Sequence, residues 1–371
     1  MTLPTTPASL KVIASNTPLI DVRAPVEFAQ GSLPGAVNLP LMVDEERHQV
    51  GIAYKQQGQQ AAIALGERLV SGEIKQARVA AWQAYLAQHP DASIYCFRGG
   101  LRSQIAQQWL VDAGLHRPRI EGGWKALRQQ LCQRIDEAAQ QPMLVVAGLT
   151  GCAKTKLINQ LPNGIDLEAC ANHKGSAFGR QPDEPTTQID FEHALGQRLI
   201  GQPGKLVLED ESRQIGNANL PLDFWHALQQ APRIRIEMPL DWRLDQLRRD
   251  YIEALEQGYA ARFGPEEGWP RFGPEEGWQR MQRQLASALE RLAKRLGNAR
   301  LQRLQRMQAM AFRAHAAGDI QAHEAWLAPL LTEYYDPLYR YHLEKQQGNR
   351  PTELHIGDWE SCLAAAKQWS A

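Results

Sequence analysis

Residues 95–103 read Tyr-Cys-Phe-Arg-Gly-Gly-Leu-Arg-Ser, and they decide how the first third of the chain is understood. An apolar strand, Ser93 to Tyr95, delivers Cys96 to a turn. The loop then opens a helix whose apolar face is Ile105, Ala106, Trp109, Leu110 and Ala113. Helix N-termini and consecutive backbone N–H groups hold anions, and a thiol there is drawn toward the thiolate. Cys96 is therefore a catalytic candidate, and Arg98, Gly99, Gly100, Leu101, Arg102 and Ser103 form a candidate anion cradle. The plainer alternative is a buried structural cysteine.

Around this loop, short strands alternate with helices. Pro18 to Val22 is apolar, Pro25 starts a helix-like PVEFAQ, GSLPGAVNLP at 31–40 is a turn-rich connection, and 44–87 is helical in pattern. Pro118 to Ile120, the turn Glu121-Gly122-Gly123-Trp124 and a last helix complete a small parallel α/β sheet over residues 1–137. A length of 371 residues exceeds one compact core and predicts a second domain. Gln140-Gln141-Pro142 supplies the linker, and the second domain runs over 142–371.

That second domain opens with MLVVAGLTGCAKT, residues 143–155. Strand, glycine loop, Lys-Thr and helix are the parts of a P-loop, whose N–H groups and lysine hold a diphosphate or triphosphate. Gly148, Thr150, Gly151, Cys152, Ala153, Lys154 and Thr155 are the candidate diphosphate-binding residues, and the Thr155 hydroxyl is placed to meet magnesium if that ion takes part. Ala153 stands where the P-loop pattern has glycine, and its methyl threatens to crowd a phosphate. Downstream, KLVLEDES gives a candidate acidic site at Glu209 and Asp210, or simply a core strand ending at a solvated turn. EACANHKGSAFGR, 168–180, offers His173, Lys174, Ser176 and Arg180 as a substrate loop over the phosphate site, or a surface loop.

Charge distribution separates the C-terminal region from the rest. Lys+Arg and Asp+Glu balance at 41 each, so net charge points to no polyanion. From Arg280 to Arg313, however, nine Arg or Lys face one acid, Glu290. Such a stretch fits nucleic-acid phosphates, with Arg291, Lys294, Arg295, Arg300 and Arg303 as candidates, or a solvated helix face. Tyr334, Tyr335, Tyr339 and Tyr341 fit either base stacking or packing. RFGPEEGW occurs at 262–269 and again at 271–278, which reads as a duplicated surface loop. Five cysteines without a C-x-x-C pair give neither a disulfide framework nor a zinc site, which fits a reducing cytoplasm. No apolar run is long enough to span a bilayer. Nothing calls for a metal or a tightly bound cofactor.

DVRAPVEFAQGSLPGAVNLP, CFRGGLRS and EGGWKALR resemble the landmark segments of a rhodanese domain. In that family the loop cysteine carries sulfur or selenium and the loop amides cradle the anion. Five residues separate Cys96 from Arg102, one more than common sulfurtransferase loops have. C-x5-R is also the spacing of cysteine-dependent phosphatases and arsenate reductases, which leaves that activity as the alternative. The whole chain resembles the bacterial tRNA 2-selenouridine synthases: ERHQVGIAYKQQGQQAAIALG (46–66), YCFRGGLRS, GLTGCAKT, ANHKGSAFGR and LEDESRQIG (208–216) are similar to that family's own segments. The resemblance implies an enzyme that replaces sulfur by selenium in wobble 2-thiouridine of tRNA. It implies two co-substrates, geranyl diphosphate for an S-geranyl intermediate and selenophosphate as selenium donor. Carried over by position, Cys96 is the thiol of selenation and Lys154 with Thr155 binds the diphosphate. A non-enzymatic RNA-binding, NTPase-like module is the third possibility, and it predicts indifference to loss of Cys96.

Overall fold

The computed structural model describes residues 3–183, 185–202, 204–263, 274–345 and 352–371. They form an α/β protein with two five-stranded parallel sheets and a helical C-terminal region. The chain divides into two compact units. One comprises Met1–Ala138 with Thr187–Gly201, the other Ala139–Thr186 with Gln202–Ala371.

The first unit is built on a five-stranded sheet of β1 (Thr5–Thr6), β2 (Leu19–Asp21), β3 (Ala36–Asn38), β4 (Ser93–Tyr95) and β5 (Arg119–Ile120). Its order is β1-β5-β4-β2-β3 and every pairing is parallel. Both faces are covered by helices, so β2 and β4 are buried throughout, as parallel strands require. Ile20, Ile94, Leu110 and Trp82 fill one side, and Leu19, Tyr95, Leu127 and Leu131 the other. The order puts β4 in the middle, and Cys96 follows at its carboxyl end, where open α/β sheets place their sites.

One element of this unit comes from the far half of the sequence. Helix Gln188–Leu199 is capped by the Thr187 hydroxyl. It packs on helix Gly123–Ala138 so closely that a Cβ at Gly196 would lie 3.0 Å from Leu131. Arg128 pairs with Glu192, and Arg134 Nε donates to the Leu199 carbonyl at 3.0 Å. His193 is buried, which lowers its pKa to about 4, so it packs as a neutral ring, 5.8 Å from that of Trp124.

The second unit repeats the plan. Strands β6 (Met143–Gly148), β7 (Gly164–Ile165), β8 (Leu206–Glu209), β11 (Arg233–Ile236) and β12 (Glu353–Gly357) pair in parallel in the order β12-β11-β6-β8-β7, while β9 (Gln214–Ile215) and β10 (Ala218–Asn219) form an antiparallel hairpin. Strand β6 is central and buried at every residue.

Helices 240–248 and 254–263, joined by a π-helical turn, pack with 274–291, 298–316 and 324–330 around Leu255, Met281, Leu285, Leu289, Trp326 and Leu330. The tandem repeat departs from the surface-loop expectation at both ends. Arg262 and Phe263 of the first copy close one helix, and Pro274 to Trp278 of the second open the next, with proline in the first turn where its missing N–H costs nothing. Residues 264–273 lie outside the described residues. Among the described residues, no helix is long and apolar enough to cross a membrane.

Candidate functional site: two anion cradles

The Cys96 loop is held by backbone from the turn after β5. Trp124 N donates to the Cys96 carbonyl at 2.9 Å, Lys125 N donates to Phe97 O at 3.0 Å, and Arg119 Nη1 reaches Gly99 O at 2.7 Å. The approach needs glycine. Gly123 has φ +58°, and a Cβ there would sit 2.2 Å from the Cys96 carbonyl and 2.5 Å from Gly99 N. Gly99, at φ +64°, is met by Ile120 O at 2.7 Å and Gly122 N at 2.8 Å. The EGGW turn and the RGG loop are two halves of one backbone construction.

Within it, Cys96 is buried, with Sγ 3.2 Å from the Ser103 hydroxyl, which itself donates to Gly100 O. Arg102 is half-buried, and both terminal nitrogens donate to Glu27, at 2.5 and 3.1 Å. Burial works to raise the Glu27 carboxyl, but the hydrogen bond and charge of Arg102, with Arg47 at 2.9 Å, hold it below its ordinary value. Burial works to lower Arg102, and Glu27 followed by Cys96 holds it up. Glu27 is one residue that sequence reading missed. Arg98 takes no part in this pairing; it is exposed over the Phe97 ring at 5.9 Å, on a shallow surface shared with Lys125 and Arg128. Leu101 is 44% exposed at the helix start.

The P-loop of the second unit is also set by glycine positions. Gly148 is at φ +148° and Gly151 at φ +87°, and Cβ atoms there would fall within 2.8 Å of Cys152 Sγ and of Arg243 O respectively. Ala153, where the pattern has glycine, takes the left-handed conformation at φ +55°, which L-residues enter at a cost of about 1–2 kcal/mol. Trp359 Nε1 donates to its carbonyl at 3.1 Å. Behind the loop, Arg243 donates to Thr150 O and forms a buried two-pronged pair with Asp336 at 2.8 and 2.7 Å. Cys152 is buried, which raises its thiol pKa and marks it as packing.

Lys154 Nζ donates to Gly148 O at 3.2 Å. Burial opposes its charge, but Cys152, Glu211, Tyr339 and Glu168 together hold it well above its ordinary value. The carboxylates around it carry the converse strain. Burial, Glu168 and Asp210 push Glu211 up to about 8 against the pull of Lys154. Glu209 is buried completely and raised well above its ordinary value by burial, then by Asp166 and Glu168. One of its oxygens accepts from Leu167 N at 2.9 Å and the other has no partner among the described residues. Asp210 turns away toward Arg233 at 3.4 Å.

Glu168, which sequence reading passed over, ties two predicted elements together. It accepts from the Thr155 hydroxyl at 3.2 Å and from Gly175 N at 2.6 Å, so the 168–180 loop is fastened to the P-loop. That loop is anchored by buried Phe178 against Trp326, with ring centroids 5.5 Å apart. Lys174 donates to Asp250 O at 2.6 Å, the Ser176 hydroxyl accepts from Phe178 N, and His173 bridges to Arg180 across the loop. Burial and Arg291 lower His173.

Arg180, Arg283 and Arg291 share a polar pocket of about 430 Å³. Arg291 also donates to Ala177 O at 2.7 Å. Arg295 bonds the Tyr334 hydroxyl at 3.2 Å, and Arg300 and Arg303 both pair with Glu333. The positive stretch is thus partly neutralised by acids outside it. Tyr334 is buried, Tyr339 accepts from Gly148 N at 3.0 Å, and Tyr341 is exposed.

Comparison with known proteins agrees with both halves. Residues 6–130 match the rhodanese-like domain family, and residues 141–371 match the tRNA 2-selenouridine synthase AAA domain. The chain is 63% identical over 355 residues to the tRNA 2-selenouridine synthase of Chromohalobacter salexigens, covering 95% of each. It is 46% identical to that of Photobacterium profundum, covering 91% of each, and 44% identical to that of Marinobacter nauticus, covering 93% of each. The chain belongs to the tRNA 2-selenouridine synthase family.

Proposed function

We propose that this protein is a tRNA-modifying transferase that exchanges sulfur for selenium in 2-thiouridine at the wobble position, in two steps on two sites. In the first, the thiocarbonyl sulfur attacks geranyl diphosphate; a C–S bond forms and diphosphate leaves with the electron pair of the broken C–O bond. The P-loop amides and Lys154 hold that leaving group. The Thr155 hydroxyl, with Glu168 behind it, is the group that fits a magnesium ion arriving with the diphosphate.

In the second step, selenium of selenophosphate attacks C2 of the alkylated base. A C–Se bond forms, the C–S bond breaks, and the geranyl thiolate departs. The Cys96 thiolate then takes the phosphoryl group from selenium, an S–P bond forming as the Se–P bond breaks, and water cleaves that S–P bond to release phosphate and restore the thiolate. Alkylation makes this possible, because a thioether sulfur on an electron-poor carbon is a leaving group and a thiocarbonyl is not. The Cys96 loop is the selenation site, its amides and Arg102 receiving the anionic donor.

The observation that carries the reading is the pair of anion cradles, one in each unit, each closed by glycine backbone that admits no side chain. The second cradle and the match to the tRNA 2-selenouridine synthase AAA domain favour this reading over the phosphatase alternative, which has no use for either. Mass spectrometry of nucleosides from tRNA incubated with the protein, geranyl diphosphate and selenophosphate tests the proposal. Geranylated and then selenated uridine is expected; neither product, with aryl phosphate hydrolysed instead, would overturn it.

A further inference from the structure

A cavity of about 800 Å³ lies within the first unit, bounded by helices Asp44–Gln57, Gln59–Leu69 and Leu101–Asp112. Its volume falls in the range of about 300–1,000 Å³ typical of small-molecule sites. Val50, Ile52, Ile63, Leu101, Ile105 and Trp109 give it a mainly apolar lining. Exposed apolar side chains gathered on a concave surface are unusual unless something covers them, and Ile52 and Leu101 are 41% and 44% exposed.

His48, Lys55, Gln59 and Glu67 are among its polar lining residues, and two guanidinium groups in the lining share one partner. Arg102, paired to Glu27 beside the Cys96 loop, lines the cavity together with Arg47, which pairs with the same carboxylate. An apolar chamber with guanidinium groups at the end nearest the thiol fits an amphiphile whose polar end lies at the Cys96 loop and whose tail runs along the helices.

We propose that this cavity holds the prenyl tail of the S-alkylated base during selenation. The inference rests on the two-step reading above, and its chemistry supplies the reason. The carbon that selenium attacks bears the sulfur, and the sulfur bears the tail, so a base presented to the Cys96 loop brings its tail within reach of the adjoining wall. Leu101, Arg102 and Ile105 stand on the helix that the loop opens. Burying the tail there orients the C–S bond that must break and distinguishes the alkylated base from unmodified 2-thiouridine. Apolar burial gives that discrimination in proportion to chain length.

The test uses the full chain, selenophosphate, and anticodon stem-loop RNAs carrying S-methyl, S-dimethylallyl or S-geranyl 2-thiouridine. Selenation efficiency should rise about ten-fold or more from S-methyl to S-geranyl, the scale on which apolar pockets discriminate. Ile105→Trp and Ile63→Trp, which fill the cavity from two different helices, should abolish that rise. Selenation of the S-methyl substrate and geranylation of RNA carrying 2-thiouridine should stay unchanged.

A flat series in the wild-type chain, with selenation intact, overturns the cavity assignment and leaves the two-step reading standing. So do folded variants that slow all three substrates equally, or that slow geranylation instead. No selenation of any S-alkyl substrate overturns both. Should one variant fail to fold, the other variant and the wild-type series still decide.

Discussion

The Cys96 loop and the P-loop occupy the same place in two different sheets, and their electrostatics are opposite. Each follows the central strand of a five-stranded parallel sheet, so each gathers N–H groups at the carboxyl edge. In the first, one carboxylate, Glu27, is shared by two arginines and held below its usual pKa, so the site is ionised and set. In the second, one lysine faces Glu168 and Glu211, with Glu209 buried beside Glu168, and all three carboxyls are pushed upward. The first cradle is stable as charged; the second holds excess negative charge that a proton or a bound cation must offset.

The strongest way to break the comparison is to remove one functional group from each cradle. Cys96→Ser is expected to abolish selenation and leave geranylation near wild type, while Lys154→Ala removes geranylation and leaves selenation of pre-geranylated RNA. Each loss should exceed about a hundred-fold, the scale on which loss of a charge-stabilising or nucleophilic group is felt. Nucleoside mass spectrometry on both half-reactions reads this out. If either variant lost both activities while still folded, the two cradles would not be separate sites.

Next in size is Gly123→Ala. Its Cβ would meet backbone of the Cys96 loop at 2.2 Å, at a φ of +58°. No flexible side chain stands there to move aside. A loss of about 2–4 kcal/mol is expected, visible as a lower melting temperature with selenation lost. Gly100→Ala is the control, because nothing lies within 4 Å of its Cβ position. Equal effects at the two positions would refute the claim that the EGGW turn supports the loop.

The contrast also explains what the sequence made legible. Cys96, the P-loop and both central strands are local patterns, in which an apolar run meets a glycine-rich turn within a dozen residues. Glu27 was not legible because its partner Arg102 is 75 positions away, and nothing near Glu27 announces a guanidinium. Glu168 and Glu211 stood in stretches already marked as polar, but only the fold shows that both face Lys154. Edge strands β1 and β12 escaped for another reason: two threonines, and a Glu-Leu-His-Ile-Gly segment with exposed positions, carry no buried-strand pattern. Helix Gln188–Leu199 is plainly amphipathic, but amphipathicity does not name the core that receives it.

A smaller effect follows from the carboxylates. With Glu211 raised from its usual range to about 8, the folded protein holds a proton there that the unfolded chain has lost. Its contribution to stability is therefore best below about 4.5 and declines as pH rises toward 8. Diphosphate binding should fall as pH passes through about 8, where the carboxylate ionises and repels the ligand. Titration calorimetry with inorganic diphosphate should show affinity dropping between pH 7 and 9, and Glu211→Gln, which keeps the neutral form, should flatten the curve. A wild-type curve flat across that window would mean that Glu211 is ionised throughout.

The smallest expected effect concerns Ala153. Replacing it with glycine relieves a left-handed alanine, a gain of about 1–2 kcal/mol. The same change restores about 0.4–1 kcal/mol of backbone freedom to the unfolded chain, which acts in the opposite direction. The two nearly cancel, and the melting temperature should move by no more than about 4 °C. Binding is a different matter, because the methyl stands where a P-loop brings its backbone against phosphate. If it crowds the ligand, Ala153→Gly raises diphosphate affinity several-fold with stability almost unchanged. If affinity stays the same, the left-handed alanine has already turned its methyl clear of the phosphate, and the P-loop pattern tolerates alanine at this position at a cost in strain alone.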